Sequence, residues 1–146
     1  MAQEKVQNFE NHTRFVSAFH GFIFPVLAIN LIWSLVQLRN GIGFASVLSV
    51  LVAAALAGLA LFARLFAMTV QDRVIRLEMR MRMARILPAD LQPRIGEFTV
   101  TQLVALRFAG DDELPALARQ VLQEKLDDRK VIKRRIKNWQ ADFLRA

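Results

Sequence analysis

The densest chemistry in this sequence is cationic. Six of the nine residues from Arg129 to Lys137 are Lys or Arg, and Lys130, Lys133, Arg134 and Lys137 are the candidate basic surface. Such a run has three uses. It can attract anionic lipid headgroups, where each Lys or Arg near the surface is worth about 1 kcal/mol. It can meet an acidic protein partner, or it can neutralise nucleic-acid phosphates. Thr99–Leu126 reads as helix, glycine-containing turn, helix, the order of a DNA-binding helix-turn-helix. Its second helix, however, carries Glu113, Glu124 and Asp127 against only Arg119 and Lys125, a poor match to a phosphate-lined groove. Lipid and protein are therefore the leading partners and nucleic acid the alternative.

The opposite charge clusters at Asp111-Asp112-Glu113, just before Leu114-Pro115. This is either a cation site or a helix start. Proline in a first helical turn, with acids offsetting the positive helix end, favours the helix start. The rest of the chemical inventory is thin. The chain has no cysteine, which excludes disulfides, thiolate catalysis and iron–sulfur ligation. Its 2 histidines, His12 and His20, have no carboxylate at metal-ligating spacing. Asn11-His12-Thr13 matches a glycosylation sequon, but it falls on the side of the membrane argued below to be cytoplasmic. No glycine-rich phosphate loop, G-x-S-x-G or H-E-x-x-H is present. The expectation is a protein that is not an enzyme and holds no metal or cofactor.

The elements that carry these residues follow from how charge is distributed. The 146 residues combine 54% hydrophobic content with a net charge of +7, and the two properties are segregated. Between Arg14 and Arg39, and again between Arg39 and Arg64, lie 24 residues without Asp, Glu, Lys or Arg. A bilayer core about 30 Å thick needs roughly 20 apolar residues in a helix. Residues 17–38 and 44–63 each qualify, joined by a short turn at 39–43 with Gly41 and Gly43. Two buried core helices of a soluble protein are the alternative, but the residues from Pro88 onward are too few to wrap two helices apolar on every side. A cleaved signal peptide fits poorly, because the first stretch is too long and Glu4 and Glu10 spoil a basic leader. Lys and Arg near the membrane number seven on the side of the termini (Lys5, Arg14, Arg64, Arg73, Arg76, Arg80, Arg82) against one, Arg39, in the turn. Both ends are therefore expected in the cytoplasm, with residues 1–16 as a short N-terminal tail.

Within the spans, Asn30 is expected to face a helix, since an unpaired amide in hydrocarbon is costly. Ser49, Ala53, Ala57 and Ala60, with Gly58 beside them, form a small-residue stripe for close helix packing within the hairpin or between copies. Pro25 is expected to kink the first helix or sit in its outer turn.

Nothing breaks the chain between Phe44 and Leu87, so the second span should continue as a stalk helix over 64–87. A seam of Ala67, Val70, Val74, Leu77, Met81 and Ala84 runs along it at 3-4-3-4-3 spacing, suited to packing on the distal helices or on another copy. Met68, Ile75, Met79 and Ile86 make a second row. Asp72–Arg76 and Glu78–Arg82 are candidate i,i+4 pairs. The remainder, 88–146, reads as three helices. Thr99 and Gln102 have capping-box spacing at the first start. Leu114, Leu117, Ala118, Val121 and Leu122 form the stripe of the second. Asp127-Asp128 open the third, with Ile132, Ile136, Trp139 and Phe143 in one line. No stretch alternates with period two, so no sheet is expected. So small a tail should lean on the stalk or on a neighbouring subunit.

Several strings carry a resemblance that spans nearly the whole chain. They are Gln7-Asn8-Phe9 with Asn11-His12-Thr13-Arg14, Val70-Gln71-Asp72-Arg73-Val74-Ile75-Arg76-Leu77-Glu78, and Gln102-Leu103 with Ala105-Leu106-Arg107-Phe108-Ala109. Asp112-Glu113-Leu114-Pro115, and Ile132-Lys133 with Ile136-Lys137-Asn138-Trp139, complete the set. In these the chain resembles a family of small bacterial membrane proteins classed as a domain of unknown function. The resemblance implies two spans and a cytoplasmic tail and carries no activity. Gly110 stands where a hydroxyl residue is more usual. The expectation is an all-α protein of the bacterial inner membrane. It would be a transmembrane helical hairpin with a long juxtamembrane stalk helix and a small cytoplasmic three-helix tail. Its role would be that of a non-enzymatic interaction or scaffold module, self-associating or holding a protein partner.

Overall fold

The computed structural model describes residues 8–10 and 16–142. Lys5, His12, Arg14 and Phe143, and so the sequon and the end of the last apolar line, lie outside them. Among the described residues the fold is helical with no strand: α1 Phe24–Leu38, α2 Phe44–Ile86, α3 Val100–Leu106, α4 Leu114–Gln123 and α5 Arg129–Arg134. The chain divides into two compact units, Arg14–Met68 and Thr69–Ala146 together with Met1–Thr13.

In the first unit a π-helical turn, Phe19–Ile23, leads into α1. Its cause is Pro25, whose ring lacks an N–H and crowds the carbonyl four residues earlier. Widening the turn, so that Phe24 N–H donates to Phe19 O rather than to residue 20, accommodates the ring without breaking the helix. The connection to α2 uses no positive φ at Gly41 or Gly43. It is closed by the Ser46 hydroxyl, which accepts from Gly43 N–H at 3.0 Å and lies 2.9 Å from Gly41 O. That hydroxyl satisfies a donor that a helix start otherwise leaves open.

In the second unit the core is built on the last turns of α2. Ile75, Met79, Met83 and Leu87, four residues apart, are buried with Leu91, Phe98, Leu103, Leu106, Phe108, Leu114, Val121 and Ile132. The tail therefore leans on its own stalk. A 3₁₀ segment, Gln92–Glu97, follows Pro88 and Leu91. α3 opens with the expected capping box: Thr99 Oγ1 accepts from Gln102 N–H at 3.2 Å, and Gln102 Oε1 from Thr99 N–H at 2.9 Å. α4 buries Leu114, Leu117, Ala118 and Val121, the stripe read from spacing. It closes with Lys125 in the left-handed region, φ 51°. There Leu126 N–H donates to Val121 O at 3.1 Å, a Schellman-type end.

The third helix is shorter than its apolar line suggested. α5 stops at Arg134, because the N–H groups of Lys137 and Asn138 donate to the Glu113 carboxylate, both at 3.1 Å, instead of to the preceding turn. Beyond it the chain is extended and forms an isolated antiparallel bridge between Ala109 and Trp139. Gly110 N–H donates to Asn138 O at 2.8 Å and Gln140 N–H to Phe108 O at 2.7 Å. Ile136 and Trp139 still reach the core, Trp139 against the Phe108 ring at 5.1 Å.

Candidate functional site

Two apolar rows share the stalk portion of α2, and they have different fates. Ile75, Met79 and Met83 are inside the tail's core. Val70, Val74, Leu77 and Met81, on the other side of the helix, stay 49–62% exposed. Ala84 and Ala67 are exposed as well. From Val70 to Ala84 the seam is thus an uncovered apolar ridge and makes no contribution to the tail core. Arg73 and Arg80 border it on one edge and Glu78 on the other. Arg73, Arg76, Leu77 and Arg80 line a shallow depression of about 210 Å³. The buried Nε of Arg80 has no hydrogen-bond partner among the described residues.

Two charges of this helix, Arg82 and Asp72, find ion-pair partners far along the chain rather than one turn away. Arg82 donates from Nε to Asp111 Oδ1 at 2.8 Å, and its terminal nitrogens donate to Arg107 O at 3.1 Å and Ala109 O at 2.6 Å. Asp72 lies 3.6 Å from Arg129. The expected Glu78–Arg82 pair is thereby replaced, because a guanidinium over the end of α3 satisfies two carbonyls as well as an acid. The acidic cluster is a clamp. Asp111 takes Arg82, Asp112 accepts from Asn138 Nδ2 at 3.2 Å, and Glu113 holds Lys137 and Asn138. Although Glu113 occupies the N-cap of α4, it makes no side-chain cap there.

The basic run does not form one face. Arg134 stacks over Phe9 at 5.4 Å and Lys133 over Phe108 at 4.8 Å. Arg135 forks onto Glu124 at 2.7 and 2.8 Å. Lys130 and Lys137 are exposed. The Arg135 hydrogen bonds hold the Glu124 carboxyl below the usual glutamate range, and Glu124 raises Arg135 in return. Hydrogen bonding to Arg119 likewise lowers Asp90, and to Arg94 lowers Glu97.

In the first unit, the small-residue stripe is partly covered. Ala53 is buried, and Ala57, Gly58 and Ala60 are half-buried. Ser49 Oγ lies 3.2 Å from the hydroxyl of buried Ser34. Sequence reading missed Ser34, since a lone serine in an apolar run is common; its place four residues after Asn30 was the available signal. Asn30 itself is exposed, not turned toward α2.

The whole chain, residues 1–146, matches a family described as a family of unknown function (DUF6526), and the chain belongs to it. No curated protein and no solved structure matches.

Proposed function

We propose that this member of the family is a two-span protein of the bacterial inner membrane with both termini in the cytoplasm. On this reading it is no enzyme. It is a membrane-anchored helical scaffold that self-associates, or holds a protein partner, through the uncovered ridge Val70, Val74, Leu77 and Met81. One observation carries the membrane reading. Both apolar helices are long enough to cross a bilayer, and only 6% of the most apolar stretch of each is covered. From Phe22 to Phe66, 21 large apolar side chains are exposed. At about half of the 1.5–3 kcal/mol that full burial of each brings, leaving them in water would cost about 15–30 kcal/mol, more than a domain's usual stability of about 5–15 kcal/mol. Lipid removes that cost. Anionic headgroups are the natural neighbours of the arginines that follow the second span.

The sidedness argument gives every copy the same orientation, so two ridges would meet in parallel. In that register Arg73 of one copy faces Glu78 of the other, five residues on, twice per pair. An antiparallel meeting would bring the arginine edges together. Support for nucleic acid is weaker, because Arg129, Lys133, Arg134 and Arg135 are engaged with Asp72, Phe108, Phe9 and Glu124.

The test is fractionation followed by cross-linking. The chain should stay with membranes through an alkaline carbonate wash, and a reporter fused at Ala146 should be active only in the cytoplasm. Leu77→Cys should cross-link into a covalent dimer, and sizing of the unsubstituted chain in mild detergent should show a dimer or larger. A washed-off chain or a periplasmic reporter would overturn the membrane reading; a monomer with no co-purifying protein would overturn the scaffold.

A further inference from the structure

Asn30 lies on a face of α1 with Val26, Trp33 and Gln37, spaced 4-3-4, and all four are exposed. The side toward Ser49 is marked instead by buried Ser34. Among the described residues the Asn30 side chain makes no hydrogen bond. Eight residues, about 12 Å of helix, separate it from Leu38, too far for so short a side chain to reach the headgroups. Within a bilayer each unsatisfied polar group costs several kcal/mol.

We propose that α1 packs through this face against α1 of a second copy, with the two Asn30 amides hydrogen-bonding to each other. An amide carries both donor and acceptor, so it is complementary to itself. Copies inserted in the same sense bring their Asn30 residues to the same depth, which no unrelated partner need do. Val26 and Trp33 flank the amide at the positions where a two-helix seam needs apolar contact. This contact rests on the bilayer reading above. It adds a partner and a residue inside the membrane to a scaffold argued from the ridge on α2.

The chain lacks cysteine, so single-cysteine variants report one position each. In native membranes under mild oxidation, Val26→Cys and Trp33→Cys of the full chain, which keep both Asn30 amides, should form dimers. Ile32→Cys and Leu35→Cys, exposed on the other side of α1, should form several-fold fewer. Asn30→Leu should weaken association about 3-fold to 20-fold, the range of measured interhelical polar contacts, and Asn30→Gln should recover most of it. Dimers favouring positions 32 and 35, no dimers at 26 and 33, or an Asn30→Leu chain associating as well as the original would overturn the contact alone. Release of the unsubstituted chain by carbonate would overturn the bilayer reading, and the contact with it.

Discussion

Replacing Arg82 with alanine isolates the tertiary clamp of the tail. The side chain is 14% exposed and serves Asp111, Arg107 O and Ala109 O. Asp111 is 64% exposed, so solvent screens the ion pair to about 0–1 kcal/mol. The two carbonyl bonds matter more. A hydrogen bond from a charged donor contributes about 1.5–3 kcal/mol, and Ala109 is fully buried, so its carbonyl is left without that donor. Together these predict a loss of about 3–5 kcal/mol for Arg82→Ala, and about 0–1 kcal/mol for Asp111→Ala. Arg82→Lys should fall between, since one ammonium cannot reach three acceptors held by a planar fork. Trp139 packs on Phe108, and Trp33 is the other tryptophan. Thermal unfolding of the full chain in mild detergent, followed by Trp139 fluorescence in a Trp33→Phe background, therefore reads the tail. At about 4–8 °C per kcal/mol, Arg82→Ala should lower the midpoint by about 12–40 °C. Equal shifts for Arg82→Ala and Asp111→Ala would refute the reasoning, because the carbonyl bonds would then contribute nothing.

Gly110→Ala places a Cβ 2.7 Å from Asn138 Nδ2 and 3.3 Å from Asn138 O. It should cost about 1–3 kcal/mol in the same assay, with part of the loss recovered by Asn138→Ala. Lys125→Gly relieves a left-handed residue and should raise stability by about 0.5–1 kcal/mol. Gln102→Ala removes half of the capping box and the bond from buried Nε2 to Leu126 O at 2.8 Å; the expected loss is about 2–3 kcal/mol. Glu124, Glu97 and Asp90 have folded-state pKa values below their ordinary ones, held there by hydrogen bonds from Arg135, Arg94 and Arg119. Their contribution is therefore present above the ordinary carboxylate range and lost as pH falls through the lowered values. Tail stability should be level from neutral pH to about pH 5 and decline below it, and Glu124→Gln should flatten that acid limb in a pH titration of Trp139 fluorescence.

Length, composition and short-range spacing determined the parts of this protein that depend on neighbours within a turn or two. Two 24-residue stretches without a charge make two apolar helices wherever the rest of the chain goes. Thr99 and Gln102 cap α3 because the box closes within three residues. The α4 stripe survives because an amphipathic period needs only one surface to pack on. Tertiary structure decided everything that required a choice among equivalents. Two rows on the stalk have helical spacing, and the core took Ile75, Met79 and Met83 because the tail folds back on that side, leaving the seam exposed. Arg82 had Glu78 four residues away yet binds Asp111 and the end of α3, since three acceptors outweigh one exposed acid. Glu113 looked like a cap and is a clamp that stops α5 at Arg134. Asn30 and Ser34 are one turn apart, and only the phase of α1 against α2 set which polar group is satisfied within the hairpin. Local periodicity specifies that a face exists; what covers it is specified by residues tens of positions away, whose meeting no local pattern encodes.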